Sequence, residues 1–165
     1  MDVELNPGPN KQKKPILLLT QNCRGLNNKE KLRQLMSSRR SQVQSNLYIL
    51  ALQETYLIED SDLKWFGTYA FTKAESNHCA GCVTYFHETV KIIEQVDIDN
   101  RGHGHLVVVE GLGGSITIVG NIYSPVRGLV AEQEDFYEKL GEQIEALETK
   151  YLFNEPNMIL LGDFN

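Results

Sequence analysis

Met158-Ile159-Leu160-Leu161-Gly162-Asp163-Phe164-Asn165 reads as a buried strand that hands over to polar side chains. Four apolar residues precede a glycine, and an Asp and an Asn follow two positions apart. In an extended segment residues i and i+2 share a face, so Asp163 and Asn165 are placed to act on one ligand. A strand of this kind should lead on into loop and further sheet, yet it reaches the last residue. The reading therefore expects part of the machinery to lie beyond Asn165.

Working outward, three other apolar runs end in the same way. Residues 16–20 run into Gln21-Asn22, and residues 47–52 into Gln53-Glu54-Thr55. Residues 115–123, with Ile116 and Ile118 alternating against polar neighbours, finish in Asn121-Ile122-Tyr123. Two stretches carry helical periodicity. In 29–44, Leu32, Leu35, Met36 and Val43 fall near one face; in 132–150, Phe136, Leu140, Ile144 and Leu147 do so, with acidic residues in the first turn complementing the helix dipole. Further strands are expected at 69–72, 82–86, 90–96 and 105–110. Turn signals at Asp99-Asn100 and Gly113-Gly114 make the middle of the chain a set of antiparallel hairpins. Helices covering the faces of such sheets give an α+β layered sandwich.

At 165 residues the chain has room for one domain with a sizeable core. The 41% hydrophobic and 23% charged fractions are those of a soluble globular protein. No apolar run approaches the ~20 residues that cross a bilayer, and no secretory signal pattern opens the chain. The expectation is an intracellular protein with no membrane partner. A net charge of −6 argues against simple coating of nucleic acid, although basic residues cluster at Lys11, Lys13, Lys14, Lys29, Lys31, Arg33, Arg39 and Arg40. An enzyme that gathers carboxylates around a cation can be acidic and still bind phosphates. Cys79-Ala-Gly-Cys82 has no second ligand pair, so it reads as small residues opening a strand rather than a zinc site.

Residues 1–14 are polar and rich in Pro, Asn and Lys, a disordered leader ahead of a domain over 15–165. Within the leader, Asp2-Val3-Glu4-Leu5-Asn6-Pro7-Gly8-Pro9 resembles the signature of 2A-type peptides, at which ribosomes skip the Gly–Pro bond. That resemblance makes Asn6, Pro7, Gly8 and Pro9 the ribosome-skipping motif.

If the four polar strand ends converge on one rim, they form an oxygen-rich pocket of two carboxylates, amides and a phenol. Hard divalent cations such as Mg²⁺ prefer that donor set. In chain order, Gln21-Asn22-Cys23-Arg24-Gly25-Leu26, Gln53-Glu54-Thr55, Asn121-Ile122-Tyr123-Ser124-Pro125 and Gly162-Asp163-Phe164-Asn165 resemble the motifs of the endonuclease/exonuclease/phosphatase family. The Asn-Ile-Tyr-Ser-Pro form, with the 2A-like leader, most resembles endonuclease domains of non-LTR (LINE-type) retrotransposons.

The resemblance implies a four-layer αββα sandwich lacking its C-terminal part, and Mg²⁺-dependent phosphodiester hydrolysis, with Mn²⁺ as the alternative ion. It implies that Glu54 binds the metal, with Asn22 holding that carboxylate or the ion. Tyr123 reaches the scissile phosphate or the departing oxygen, Asp163 activates the attacking water, and Asn165 hydrogen-bonds the phosphate. The partner is DNA, nicked in the nucleus, by a domain of a longer polyprotein with reverse transcriptase. A phosphatase acting on small esters and a non-catalytic remnant are the alternative readings. The family's closing Ser/Thr-Asp-His motif is absent from these 165 residues, and the chain alone is expected to be poorly stable and at most feebly active, with inactivity the leading expectation. The four histidines, His78, His87, His103 and His105, all precede Gly162, in the wrong order to replace that motif, and His103 and His105 are expected to be solvated hairpin residues.

Overall fold

The computed structural model describes residues 15–43, 47–112, 115–126 and 130–165. The leader with its 2A-like motif and the Gly113-Gly114 turn lie outside the described residues. Eight strands form two sheets: β1 (Ile16–Asn22), β2 (Leu47–Gln53), β3 (Thr68–Thr72), β4 (Cys82–Phe86), β5 (Lys91–Asp97), β6 (Gly104–Leu112), β7 (Ser115–Tyr123) and β8 (Asn157–Asp163). Helix α1 (Lys29–Val43) follows β1, and α2 (Val130–Lys150) links β7 to β8. The first sheet has the order β1-β2-β4-β3 and the second β5-β6-β7-β8. The middle of the chain pairs antiparallel, as its turn signals imply. β1 runs parallel to β2, and β7 parallel to β8, each pair joined through a helix.

Side-chain parity explains the layers. Ile49 on β2 and Ala70 and Phe86 of the same sheet meet Val107, Val109 and Val119 of the other in the inter-sheet core. Leu50, Leu52, Val83 and Tyr85 point the opposite way and bury Leu32, with Leu35 and Met36 packed alongside. Leu106, Val108, Ile118 and Ile122 cover Phe136, Leu140 and Leu147 of α2. Helix, sheet, sheet, helix is the four-layer order expected from the sequence.

The histidines correct one expectation. His103 and His105 are buried, 5% and 0% exposed, not solvated. β6 is an interior strand of its sheet, and His105 shares the inward parity of Val107 and Val109, so its ring lies between the sheets. Thr84 Oγ1 sits 2.7 Å from His105 Nε2 and Thr72 Oγ1 2.9 Å from Nδ1, which is how so polar a ring is accommodated there. Cys79 and Cys82 are free thiols, and Cys82 opens β4.

Candidate active site

The four polar strand ends do converge. On β1, residues 16, 18, 20 and 22 share the inner face; on β8, 157, 159, 161 and 163 do. Asn22 and Asp163 are thus the last inward-facing positions of their strands. Asn22 Nδ2 donates to Asp163 Oδ2 at 2.9 Å and to Glu54 Oε1 at 2.7 Å. Its Oδ1 accepts from Arg24 N at 3.2 Å, which fixes the amide with its nitrogen toward the two carboxylates. In this arrangement Asn22 holds the acids.

Glu54 breaks the alternation that would have sent it toward α1. Gln53 faces inward, and Glu54 takes a left-handed backbone with φ +49, which swings its carboxylate back to Asn22. Two residues on, Tyr56 also has positive φ (+58) and donates its hydroxyl to Glu54 Oε2 at 2.8 Å. Its ring lies over Gly25, where a Cβ would stand 2.8 Å from Tyr56 Cδ2. The glycine at φ +90 is what leaves room for the ring. The two loops are latched together by Gly25 N donating to Glu54 O and Leu26 N to Thr55 O, both at 2.7 Å.

Tyr123, the last residue of β7, also hydrogen-bonds Glu54. Burial first, and then that bond, raise its pKa. For Tyr56 the bond to Glu54 comes first and burial second, and they push it up to about 12. Both phenols are therefore hydrogen-bond donors at neutral pH. Behind Tyr123, His103 Nδ1 lies 2.6 Å from Asp99 Oδ2, and the His103 ring is 6.1 Å from that of Tyr123. Burial acts to raise the Asp99 pKa, but the His103 hydrogen bond and charge outweigh it and hold the carboxyl low.

Asn165 stands apart from this cluster. β8 ends at Asp163 and Asn165 has φ +45, so the extended geometry read from the sequence does not reach it. Its Nδ2 donates to Ser124 O at 2.6 Å and its backbone N to Asp163 Oδ1 at 3.3 Å. One N–H of the amide remains for another acceptor. Tyr56 and the Asp99–His103 pair were not read from the sequence. Positive φ at two non-glycine residues and a hairpin loop folded under a phenol leave no spacing pattern.

The carboxylate oxygens of Glu54 and Asp163 share one nitrogen and so lie less than about 6 Å apart, close enough for like charges to oppose each other. A cation relieves that opposition. Among the described residues no three of His, Cys, Asp and Glu cluster as a metal cage. Mg²⁺, which takes one or two carboxylates and keeps several waters, fits a set of this kind.

The model of the endonuclease/exonuclease/phosphatase family matches residues 19–165. The chain belongs to that family. Solved structures agree on this family's fold. The human Nocturnin catalytic domain with bound sulfate aligns with a TM-score of 0.57 at 17% identity, covering 92% of this chain and 64% of that one. A conserved protein of unknown function from Enterococcus faecalis V583 gives 0.64 at 13%, covering 90% and 66%. D. rerio TDP2 complexed with single-strand DNA product gives 0.53 at 14%, covering 90% and 60%. The chain thus spans less than two thirds of the length of these family structures. A search of curated proteins gave no match. Members of this family are hydrolases of phosphate esters that generally work with divalent metals.

Proposed function

We propose that this rim is the phosphate-handling part of a Mg²⁺-dependent DNA-nicking endonuclease of a LINE-type retrotransposon. The observation that carries the reading is the Asn22 amide nitrogen bridging Glu54 and Asp163 across the two sheets. It brings two carboxylates to one point, which supports Glu54 as the metal's acid and Asp163 as the water's. Glu54, kept in place by Asn22, Tyr56 and Tyr123, holds the cation. A divalent ion bound there supplies the positive charge that offsets charge building on the phosphate.

The chain's own groups account for the activation of the water and the support of the departing oxygen. Asp163 orients a water and takes its proton as the water oxygen bonds to phosphorus. The bond from phosphorus to the 3′ oxygen breaks; Tyr123 turns its one O–H from Glu54 to that departing oxygen, which takes a proton from solvent and leaves as a 3′-hydroxyl. Asn165 offers its remaining N–H to the phosphate. DNA as substrate is supported by the family's breadth and by the DNA product on TDP2. Action in the nucleus, within a longer polyprotein carrying reverse transcriptase, belongs to the same proposal. Among the described residues no helix is long and apolar enough to cross a membrane.

Supercoiled plasmid incubated with the chain and Mg²⁺ tests it. Nicked circles are expected only slowly and at high protein concentration, and not at all in EDTA or in Glu54→Ala and Asp163→Ala. Phosphate release from a soluble ester without nicked circles would replace DNA by a small substrate. No turnover, with Mn²⁺ still bound through Glu54, would identify a non-catalytic remnant.

A further inference from the structure

The polar strand ends include two amides that the proposed chemistry does not use, Gln53 and Asn121. They are 1% and 0% exposed. Gln53 Nε2 donates to Asn121 Oδ1 at 2.7 Å, across the gap between the sheets. Asn121 Nδ2 in turn faces Leu52 O (3.2 Å), Val83 O (3.0 Å) and Thr84 Oγ1 (3.0 Å), so this one side chain of β7 is tied to both β2 and β4. Thr20 Oγ1 pairs with the Gln53 amide from β1. Gln53 immediately precedes Glu54, and Asn121 lies one inward position before Tyr123.

We propose that Gln53 and Asn121 are positioning residues, a buried amide clamp that fixes the first sheet's Asn22 and Glu54 against the second sheet's Tyr123 and Asp163. The apolar core below them attracts without direction and tolerates sliding. A hydrogen bond between amides holds one register only. The tolerance at the rim is small: a slip of roughly 0.6 Å takes the 2.9 Å Asn22–Asp163 bond to ~3.5 Å, where it ceases to be one. The geometry of the clamp stands on these bonds alone, and its service to a reaction rests on the phosphodiesterase reading.

The test follows the Asn22 side-chain amide by ¹H–¹⁵N NMR in metal-free buffer, where its bonds to both carboxylates slow solvent exchange. Gln53→Met keeps volume and removes the clamp. We expect Asn22 exchange to rise about tenfold or more while backbone amides of Ile49 and Val119 stay protected. Leu140→Ala, in the α2 layer, is the control that destabilises without touching the rim, and it should leave the Asn22 signals in place. Should Gln53→Met not fold, Gln53→Asn, with a reach shorter by one methylene, reads the same exchange. Unchanged Asn22 exchange in the clamp variant, or an equal rise in Leu140→Ala, would overturn the inference. Mn²⁺ titration of the same samples tests the functional reading separately. An Asn22 response without Mn²⁺ binding through Glu54 would retain the clamp and remove the proposed chemistry.

Discussion

Glu54 carries the most interactions at the rim, and its surroundings divide into what a sequence reader sees and what remains hidden. Asn22, Tyr123 and Asp163 are legible because they end strands in inward register, which alternation reveals. Tyr56 is not, since its approach to Glu54 depends on left-handed backbone at two residues with ordinary side chains, which no pattern announces. Its contribution is testable. Tyr56→Phe keeps the ring over Gly25 and removes only the donor to Glu54 Oε2. Groups that hold a metal ligand in place are worth about 10–100-fold in affinity, so Mn²⁺ affinity should fall by about tenfold with the melting temperature near that of the wild type. Calorimetric titration reads the change, and an unaltered affinity would show that Asn22 and Tyr123 suffice to hold the carboxylate.

At the scale of the element, strands and helices appear where periodicity places them, with ends shifted by a residue or two. What periodicity omits is how tightly β7 and β8 are pressed together. Gly162 has φ +149, and a Cβ there would collide with the Ile122 carbonyl oxygen. The glycine is therefore required by contact as well as by backbone angle. Gly162→Ala should destabilise the chain by roughly 1–3 kcal/mol, read by urea unfolding, and should displace Asp163, its neighbour. β6 offers a second test. Burial lowers the His105 pKa to about 4, with the nearby Asp97 charge working in the opposite direction. In the unfolded chain the same ring takes a proton near 6.5. Between those values the unfolded state holds more protons, so the neutral ring's contribution is whole above about pH 6.5 and declines as pH falls toward 4. The decline is at most about 1.4 kcal/mol per pH unit. His105→Gln, although less stable throughout, should show a shallower fall in melting temperature between pH 6.5 and 4. Equal slopes would mean that the ring is already protonated in the fold.

For the whole molecule, a layered α+β sandwich is readable from periodicity and its four-layer order from the family resemblance, whereas the degree of closure is not, because a strand's sequence does not state how many neighbours it has. β1 ends one sheet and β8 the other, and the two lie at the same side of the sandwich. Among the described residues β1 pairs only with β2 and β8 only with β7. The edges show the consequence: Leu18 has the inward parity of Ile16 and yet is 43% exposed, and Leu160, on the α2-facing side of β8, is 38% exposed. Two adjacent edges with open backbone groups and apolar side chains are a template for pairing with another chain. The net charge of −6 opposes association only at a distance set by ionic strength, about 10 Å at 0.1 M salt. The isolated chain should therefore self-associate with rising concentration, and more so with added salt. Replacing both exposed leucines, Leu18→Lys with Leu160→Lys, places a charge on each edge. In sedimentation velocity the double variant should remain monomeric at concentrations where the wild type has associated. If it associates as strongly as the wild type, the contact lies elsewhere, and the exposed Leu152 and Phe153 between α2 and β8 become the surface to alter next.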